Sequence, residues 1–154
     1  LVEDEALDTA RELLQDGTGK LRLPVDVVIG DRFEADAESK TMPMGPVPEG
    51  WRILDIGPET ISAYAKTISS AGTVVWNGPM GVFEFPRFAQ GTFELAKAVA
   101  SSPALTIVGG GDSVAAIQQS GMAERITHIS TGGGASLEML EGLVLPGVAA
   151  LQDK

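Results

Sequence analysis

The chain has 154 residues, 11 of them basic and 21 acidic, so its formal net charge at pH 7 is −10. Hydrophobic residues make up 44% and charged residues 21% of the sequence, which is typical of a folded globular domain and not of a disordered segment. The absence of cysteine excludes disulfide scaffolds, thiolate metal sites and cysteine nucleophiles, and the negative charge argues against a nucleic-acid or anionic-membrane surface.

Nothing in the sequence predicts a membrane span or a secretion signal. No apolar run approaches the ~18 residues of a transmembrane helix, and no basic segment followed by an apolar stretch marks a signal peptide. We therefore expect a cytoplasmic protein. Because the sequence starts without Met and inside an acidic helical pattern, we also expect it to be a piece of a longer protein.

The first third of the chain predicts one helix, one strand and a long connection. Apolar residues recur at helical spacing over residues 3–16, and Gly17 follows as a stop. The β-branched run at residues 25–30 is typical of a buried parallel strand. Residues 31–57 are mostly polar and contain three prolines near turns, which predicts a long connection with a short extended segment near residues 41–44.

From residue 58 onward the pattern alternates between strands and helices. A helix starts at Pro58 and ends before Gly72. The strands predicted after it lie at residues 73–77, 105–108 and 127–130, and the helices at 87–100, 112–119 and 135–140. This order predicts one α/β domain, or part of one, with helices on both faces of a parallel sheet in a Rossmann-like, three-layer arrangement. We expect the strand at residues 25–30 to belong to the same sheet.

Glycine clusters at residues 78–81, 109–111 and 132–134 each follow a predicted strand. Ligands of open parallel sheets bind beyond the carboxyl ends of the strands. Glycine lets the backbone approach a ligand closely, and the helix that follows directs free N–H groups and its positive dipole end to the same place. One such turn alone is more often an ordinary strand-to-helix connection, but three of them predict a phosphate-binding edge.

Several polar residues near these turns leave two interpretations open. Asp112 could cap a helix or hold Mg²⁺, which prefers oxygen ligands. Ser113 could likewise cap a helix or donate to a phosphate. Glu84 could take both hydroxyls of a ribose or could simply face solvent. His128 fits a packed or hydrogen-bonded structural residue better than a general base.

Generic nucleotide and hydrolase motifs are missing from the sequence. GGGDSV at residues 109–114 lacks the final Gly or Ala of the dinucleotide fingerprint, and the only Gly-Lys pair is followed by leucine, so there is no Walker A loop. No serine has glycine two residues away on both sides, as a nucleophile elbow requires. These absences disfavour nicotinamide-dependent dehydrogenases, P-loop kinases and α/β-hydrolases.

Longer motifs resemble one family specifically. VWNGPMGVFE at residues 75–84, GGGDS at 109–113 and HISTGGGASLE at 128–138 resemble characteristic stretches of phosphoglycerate kinase. LPVD at 23–26, LDIGP at 54–58 and LPGV at 145–148 fit the same family in the same order. The resemblance runs from near Leu7 to the end. It implies that residues 1–154 are the C-terminal part of a nucleotide-binding domain, with the N-terminal substrate domain absent from this sequence.

The resemblance also implies a reaction and a set of residues. The family transfers a phosphoryl group between 1,3-bisphosphoglycerate and ADP, with Mg²⁺, in glycolysis. By motif, Asp112 would hold the Mg²⁺ of the nucleotide, and Glu84 would bind the ribose. The residues implied to contact the nucleotide phosphates are Gly110, Gly111 and Ser113, and those implied to line the nucleotide site are Asn77, Pro79 and Val82. The N–H groups implied to serve the transferring phosphoryl are those of Gly111, Gly132, Gly133 and Gly134.

The sequence departs from the family in its extent. Family members are longer and bind 3-phosphoglycerate through basic residues of the absent N-terminal domain. The phosphate-contacting lysines of the nucleotide domain have no counterpart among Lys20, Lys40, Lys66 and Lys97. We therefore expect the chain alone to be nearly inert. The alternative interpretation is a nucleotide-binding or interaction module without catalysis of its own.

Overall fold

A computed structural model describes residues 4–17, 19–130 and 132–151 of the chain. The strands are β1 (Asp26–Gly30), β2 (Ser39–Pro43), β3 (Arg52–Ile56), β4 (Thr73–Asn77), β5 (Leu105–Gly109) and β6 (His128–Ile129). The α-helices are α1 (Leu7–Asp16), α2 (Pro58–Ser69), α3 (Gln90–Ser101), α4 (Gly111–Gln119), α5 (Gly134–Leu140) and α6 (Pro146–Ala149). Short 3-10 turns cover Asp4–Ala6, Pro86–Phe88 and Ala123–Arg125.

The strands form two separate sheets. The first is antiparallel, in the order β2-β1-β3, with Val28 opposite Thr41 on one side and Asp55 on the other. The prediction that residues 25–30 join the parallel sheet is therefore wrong. The strand exists, but its neighbours come from the connection that follows it, and the chain turns back locally instead of crossing over. A β-branched run shows that a strand is buried, and it does not fix the direction of pairing.

The second sheet is parallel, in the order β4-β5-β6, as the alternating pattern predicts. Val74 pairs with Thr106, and Trp76 with Val108, so these side chains share one face. That face packs on α3 and α4 through one core cluster, whose buried members are Trp76, Ala96, Val99, Ala100, Val108, Ile117 and Ile126. This cluster is the largest apolar core of the described chain, and it packs β4 and β5 against α3 and α4.

The opposite face of the parallel sheet carries α5. Leu137, Met139 and Leu140 of this helix face Val75 and Ile107 across a groove of about 330 Å³. The prediction of an α/β fold with helices on both faces is confirmed. The second face is only partly covered, because Val75 remains 44% exposed and Leu105 remains 49% exposed.

The remaining predicted helices lie close to their expected positions. The helix predicted at residues 3–16 begins with a 3-10 turn, and its α-helical part starts at Leu7; residue 3 lies outside the described residues. The helix predicted at residues 87–100 is also a 3-10 turn followed by an α-helix. The sequence did not predict α6. Within the described part of the chain, no helix combines the length and the apolar character that a membrane crossing requires.

Candidate functional site

The three glycine clusters meet at one edge of the parallel sheet. The strands β4, β5 and β6 are hydrogen-bonded neighbours running in the same direction, and one cluster lies at or just beyond the carboxyl end of each strand. Hydrogen bonds also join these segments, since Gly78 N donates to Ser113 Oγ of α4 (2.5 Å) and Ser130 N donates to Val108 O of β5 (2.8 Å). The predicted convergence at the carboxyl edge is therefore confirmed, without the strand at residues 25–30.

The loop at residues 78–84, which follows β4, is fixed at several points. The indole N–H of Trp76 donates to Gly78 O (2.5 Å). The backbone N–H groups of Met80 and Gly81 both donate to Thr92 Oγ1, at 3.0 and 3.2 Å, and Thr92 is fully buried in the first turn of α3. Val82 N donates to Leu54 O of β3 (2.8 Å). We call residues 78–84 the nucleotide loop from here on, after the role that the sequence implies.

The α4 N-terminus needs glycine before it. Gly110 is the N-cap residue with φ +87°, a conformation that other residues rarely adopt. A Cβ atom there would lie 2.8 Å from Asn77 Oδ1, so β4 and the helix start approach each other closely. The first N–H groups of an α-helix lack intrahelical partners and carry partial positive charge, which suits an anion.

Asp112 is the second residue of α4, and its carboxylate is exposed. It is not the cap residue, because the helix begins one residue earlier and has no side-chain cap. Of the two interpretations of Asp112, capping is therefore wrong. No group of three or more His, Cys, Asp or Glu side chains that could hold a metal occurs among the described residues. A single exposed carboxylate fits a Mg²⁺ that arrives with a nucleotide, since Mg²⁺ in such sites takes one or two carboxylates plus substrate phosphates.

Ser113 is 1% exposed and lies in the first turn of α4. Its hydroxyl accepts the N–H of Gly78, which joins α4 to the nucleotide loop. A hydroxyl that accepts one hydrogen bond still has its own hydrogen to donate. A phosphate contact from Ser113 stays a prediction, and the structure adds a positioning role that the sequence did not indicate.

The other predicted nucleotide contacts lie on or beside the same loop. Asn77 and Glu84 are exposed, and Pro79 and Val82 are half-buried. Val82 also packs against the cluster of Ala37, Leu54 and Phe88. The loop thus presents polar side chains to solvent while its apolar side is held by the antiparallel sheet.

The third glycine cluster surrounds the start of α5. Gly133 is the N-cap residue, with φ +44°. Gly132 N donates to Ser130 Oγ (3.2 Å), and Ser130 Oγ lies 2.5 Å from Ser136 Oγ. A role for Gly132, Gly133 and Gly134 in phosphoryl transfer stays a prediction, and Thr131 lies outside the described residues.

The packed position expected for His128 is wrong, whereas no observation tests whether it acts as a general base. Its side chain is exposed on the open face of the parallel sheet, where it lines the groove with Val75, Asn77 and Ile107. The apolar neighbours in sequence suggested packing, but the two-residue strand β6 lies at the sheet edge and leaves this position uncovered.

Two buried carboxylates of the antiparallel sheet were missed. Asp55 of β3 is 1% exposed, and its oxygens accept the N–H groups of Gly91 (2.8 Å) and Ile56 (2.9 Å). Burial raises the pKa of Asp55 to about 6, although these two hydrogen bonds oppose the rise. An aspartate between Leu54 and Ile56 in a short apolar run is the signal that could have identified it.

Asp26 of β1 is the second buried carboxylate, at 5% exposure. It accepts the N–H of Glu59 (3.0 Å), the N–H of Thr60 (2.7 Å) and the hydroxyl of Thr60 (2.6 Å) at the start of α2. Burial alone would raise the pKa of Asp26, but hydrogen bonds from Thr60 and Glu59 outweigh burial and lower it.

Comparisons with known proteins agree on one family. The family model described as phosphoglycerate kinase matches residues 1–143. The phosphoglycerate kinase of Roseiflexus castenholzii is 60% identical over 156 residues, covering 99% of this chain and 40% of the relative. That of Deinococcus radiodurans is 59% identical over 153 residues, covering 98% of this chain and 37% of the relative.

Solved structures give the same result. Phosphoglycerate kinase from Coxiella burnetii matches with a TM-score of 0.87 and 46% identity, over 92% of this chain and 37% of that chain. The enzyme from Pyrococcus horikoshii matches with a TM-score of 0.84 and 39% identity, over 96% of this chain and 36% of that chain. The chain thus spans about 40% of the length of the curated relatives that it matches.

Proposed function

The chain belongs to the phosphoglycerate kinase family, and we propose that it forms part of the Mg²⁺–nucleotide site of an enzyme that reversibly transfers phosphoryl between 1,3-bisphosphoglycerate and ADP. The observation that carries this proposal is the convergence of three glycine turns at the carboxyl edge of β4, β5 and β6. Anionic ligands suit such an edge because backbone N–H groups can approach them without a basic side chain.

The residues take the roles that their motifs imply. Asp112 holds the Mg²⁺ of the nucleotide, and Glu84 binds the ribose. The phosphates of the nucleotide contact Gly110, Gly111 and Ser113, and the nucleotide site is lined by Asn77, Pro79 and Val82. The N–H groups that serve the transferring phosphoryl are those of Gly111, Gly132, Gly133 and Gly134.

Phosphoryl transfer is catalysed mainly by positioning and by stabilising the charge that develops on the moving group. The chain's own contribution is fixed geometry, because the nucleotide loop is hydrogen-bonded to α3, α4 and β3. Mg²⁺ bound with the nucleotide supplies neutralising charge. With a net charge of −10, this segment depends on backbone N–H groups and on cations from elsewhere in the protein.

The chain spans about 40% of the length of its relatives, so the rest of the protein must supply the remaining parts of the active site. We propose that residues 1–154 are the C-terminal part of the nucleotide-binding domain, and that 3-phosphoglycerate binds to basic residues of an N-terminal domain outside this sequence. Nucleotide and phosphoglycerate are then the partners, without nucleic acid or membrane. A glycolytic role places the protein in the cytoplasm.

The proposal is tested in a chimera. The phosphoglycerate kinase of Roseiflexus castenholzii, with its matching segment replaced by this chain, is assayed for turnover and for ADP binding at several Mg²⁺ concentrations. Asp112→Asn is compared with Glu59→Gln. Glu59 is a matched control, because it is an exposed acid at the same second position of a helix that also follows a glycine N-cap.

We expect Asp112→Asn to lower turnover by about a hundredfold or more, the loss typical of removing a group that stabilises transition-state charge, and Glu59→Gln to leave it unchanged. An unsubstituted chimera that binds ADP without turnover would favour the non-catalytic module. Equal effects of the two substitutions on turnover would contradict the proposed Mg²⁺ role of Asp112.

A further inference from the structure

The nucleotide loop rests on a buried carboxylate that no motif assigns to the site. We propose that Asp55 is a positioning residue for nucleotide binding, an inference that rests on the proposed function. Asp55 fixes the first turn of α3, and this turn sets the position of the nucleotide loop. Asp55 does not contact the nucleotide in this proposal. It acts through the backbone that it holds.

The first link is between Asp55 and α3. Gly91 is the second residue of this helix, and its N–H donates to Asp55 Oδ2 over 2.8 Å. The N-cap residue of α3 is Ala89, which has no side chain able to accept this bond. The carboxylate therefore supplies from β3 the cap that the local sequence lacks.

The second link is between α3 and the loop. Thr92 is the next residue of the same helical turn, and its buried hydroxyl accepts the N–H groups of Met80 and Gly81. A shift of the first turn of α3 therefore shifts both of these hydrogen bonds. Val82 N is bound to Leu54 O, the residue before Asp55, so the loop is held by the same stretch of β3 from its other side.

Close packing makes this arrangement intolerant of change. A Cβ atom on Gly81 would lie 2.4 Å from Asp55 Oδ1, and one on Gly91 would lie 2.3 Å from the same oxygen. Both distances are far shorter than a van der Waals contact, so the loop and the helix pack directly on the carboxylate. The Asp55 carboxylate is thus in contact with Gly81 of the nucleotide loop and with Gly91 of α3.

Loop position decides where Pro79, Val82 and Glu84 lie relative to a bound nucleotide. Displacement by a fraction of an ångström weakens contacts that depend on geometry. Because these residues are proposed to contact the nucleotide and not the phosphoglycerate, disturbing Asp55 is expected to raise the KM for ADP selectively.

The experiment uses the chimera described above, with Asp55→Asn and, as a matched control, Asp26→Asn. Both aspartates are buried on the same sheet, and both cap a helix, but the described hydrogen-bond donors to the Asp26 carboxylate in Glu59 and Thr60 belong to α2. We expect Asp55→Asn to raise the KM for ADP about tenfold, the effect of weakening hydrogen bonds to a charged acceptor. The KM for 1,3-bisphosphoglycerate should change less than twofold, and Asp26→Asn should change neither KM.

A second pair of variants keeps the test decisive if Asp55→Asn does not fold. Thr92→Val removes the acceptor of Met80 N and Gly81 N while keeping the side-chain shape, and Thr92→Ser restores the hydroxyl. A raised KM for ADP in Thr92→Val that is rescued in Thr92→Ser supports the inference. An unchanged KM for ADP in Thr92→Val overturns it.

Failure of the inference and failure of the proposed function give different results. If the unsubstituted chimera turns over and Asp55→Asn leaves the KM for ADP unchanged, or raises both KM values to the same extent, Asp55 is only a structural residue. If the unsubstituted chimera neither binds ADP nor turns over, the proposed function itself is wrong.

Discussion

Asp26 and Asp55 lie diagonally on the same face of the antiparallel sheet, and each accepts backbone N–H groups from the first turn of a different helix. Asp55 of β3 lies opposite Val28 of β1. Val28 is two residues from Asp26 along β1, so Asp26 and Asp55 are diagonal neighbours. Asp26 caps α2, and Asp55 caps α3. The sheet that the sequence did not predict is therefore the platform that positions two helices of the parallel layer.

The two carboxylates should give opposite pH dependence of stability. The folded pKa of Asp55 is raised to about 6, so the folded state binds this proton more tightly than the unfolded state, and stability falls as pH rises from about 4 to 6. The pKa of Asp26 is lowered from 3.8, so its contribution is present above about pH 4 and is lost as pH falls through the lower folded value.

Urea unfolding of the 154-residue chain between pH 3 and 8 measures this difference. In the unsubstituted chain, Asp55 should lower the free energy of unfolding by on the order of 2 kcal/mol between pH 4 and 6, and this decrease should be absent in Asp55→Asn. Asp26→Asn should destabilise at neutral pH, and its difference from the unsubstituted chain should shrink below pH 4. Parallel pH curves for both variants would contradict the opposite shifts.

Gly81→Ala tests the close approach of the nucleotide loop to β3. The added Cβ would meet Asp55 Oδ1 at 2.4 Å and Leu54 O at 2.6 Å, and the backbone atom cannot rotate away. We expect a loss of about 1–3 kcal/mol in the free energy of unfolding, as for overpacking in a dense interior. The measurement is urea denaturation.

Gly72→Ala is the control for that substitution. A Cβ atom at Gly72 meets nothing within 4 Å, and its φ lies outside the left-handed region. The change should be neutral, or should raise the free energy of unfolding by about 0.4–1 kcal/mol, because alanine reduces the conformational entropy of the unfolded chain. Equal losses at Gly72 and Gly81 would show that the contact with Asp55 is not the cause.

Ser113→Ala tests the link between α4 and the nucleotide loop. The substitution leaves the N–H of Gly78 without its acceptor at a part-buried site, which should cost about 1–3 kcal/mol. Ser69→Ala, at an exposed serine of α2, should cost less than about 0.5 kcal/mol. Thermal or urea unfolding of both variants gives the comparison, and a neutral Ser113→Ala would remove the structural role.

The sequence predicted the parallel half of the fold well because its signals there are local. An apolar strand, a glycine turn and a helical pattern recur around β4, β5 and β6, and parallel neighbours place their carboxyl ends together without any knowledge of long-range contacts. The glycine clusters could be placed at one edge of the sheet for the same reason, while the roles of Asp112 and of these glycines stay predictions.

The antiparallel sheet could not be predicted in the same way. Its third strand, β3, alternates poorly, since Leu54, Asp55 and Ile56 are all buried. Asp55 is understood only from Gly91, 36 residues away, whose N–H it accepts. Likewise, the exposure of His128 depends on which strand ends the sheet, and the sequence around it does not determine this.

The 154-residue chain, expressed by itself, should show no measurable phosphoglycerate kinase activity and should bind ADP weakly. The transferring phosphoryl must be neutralised in place, and the groups that we propose for this segment are only backbone N–H groups and one carboxylate for Mg²⁺. In addition, the apolar side chains of Val75 and Leu105 on one face of the parallel sheet are about half-exposed to solvent. The measurement is a coupled assay with ATP, 3-phosphoglycerate and Mg²⁺, with the chimera as positive control and circular dichroism to confirm folding. Turnover of the isolated chain on the order of 1–10³ s⁻¹, the ordinary enzyme range, would show that the segment carries a complete active site.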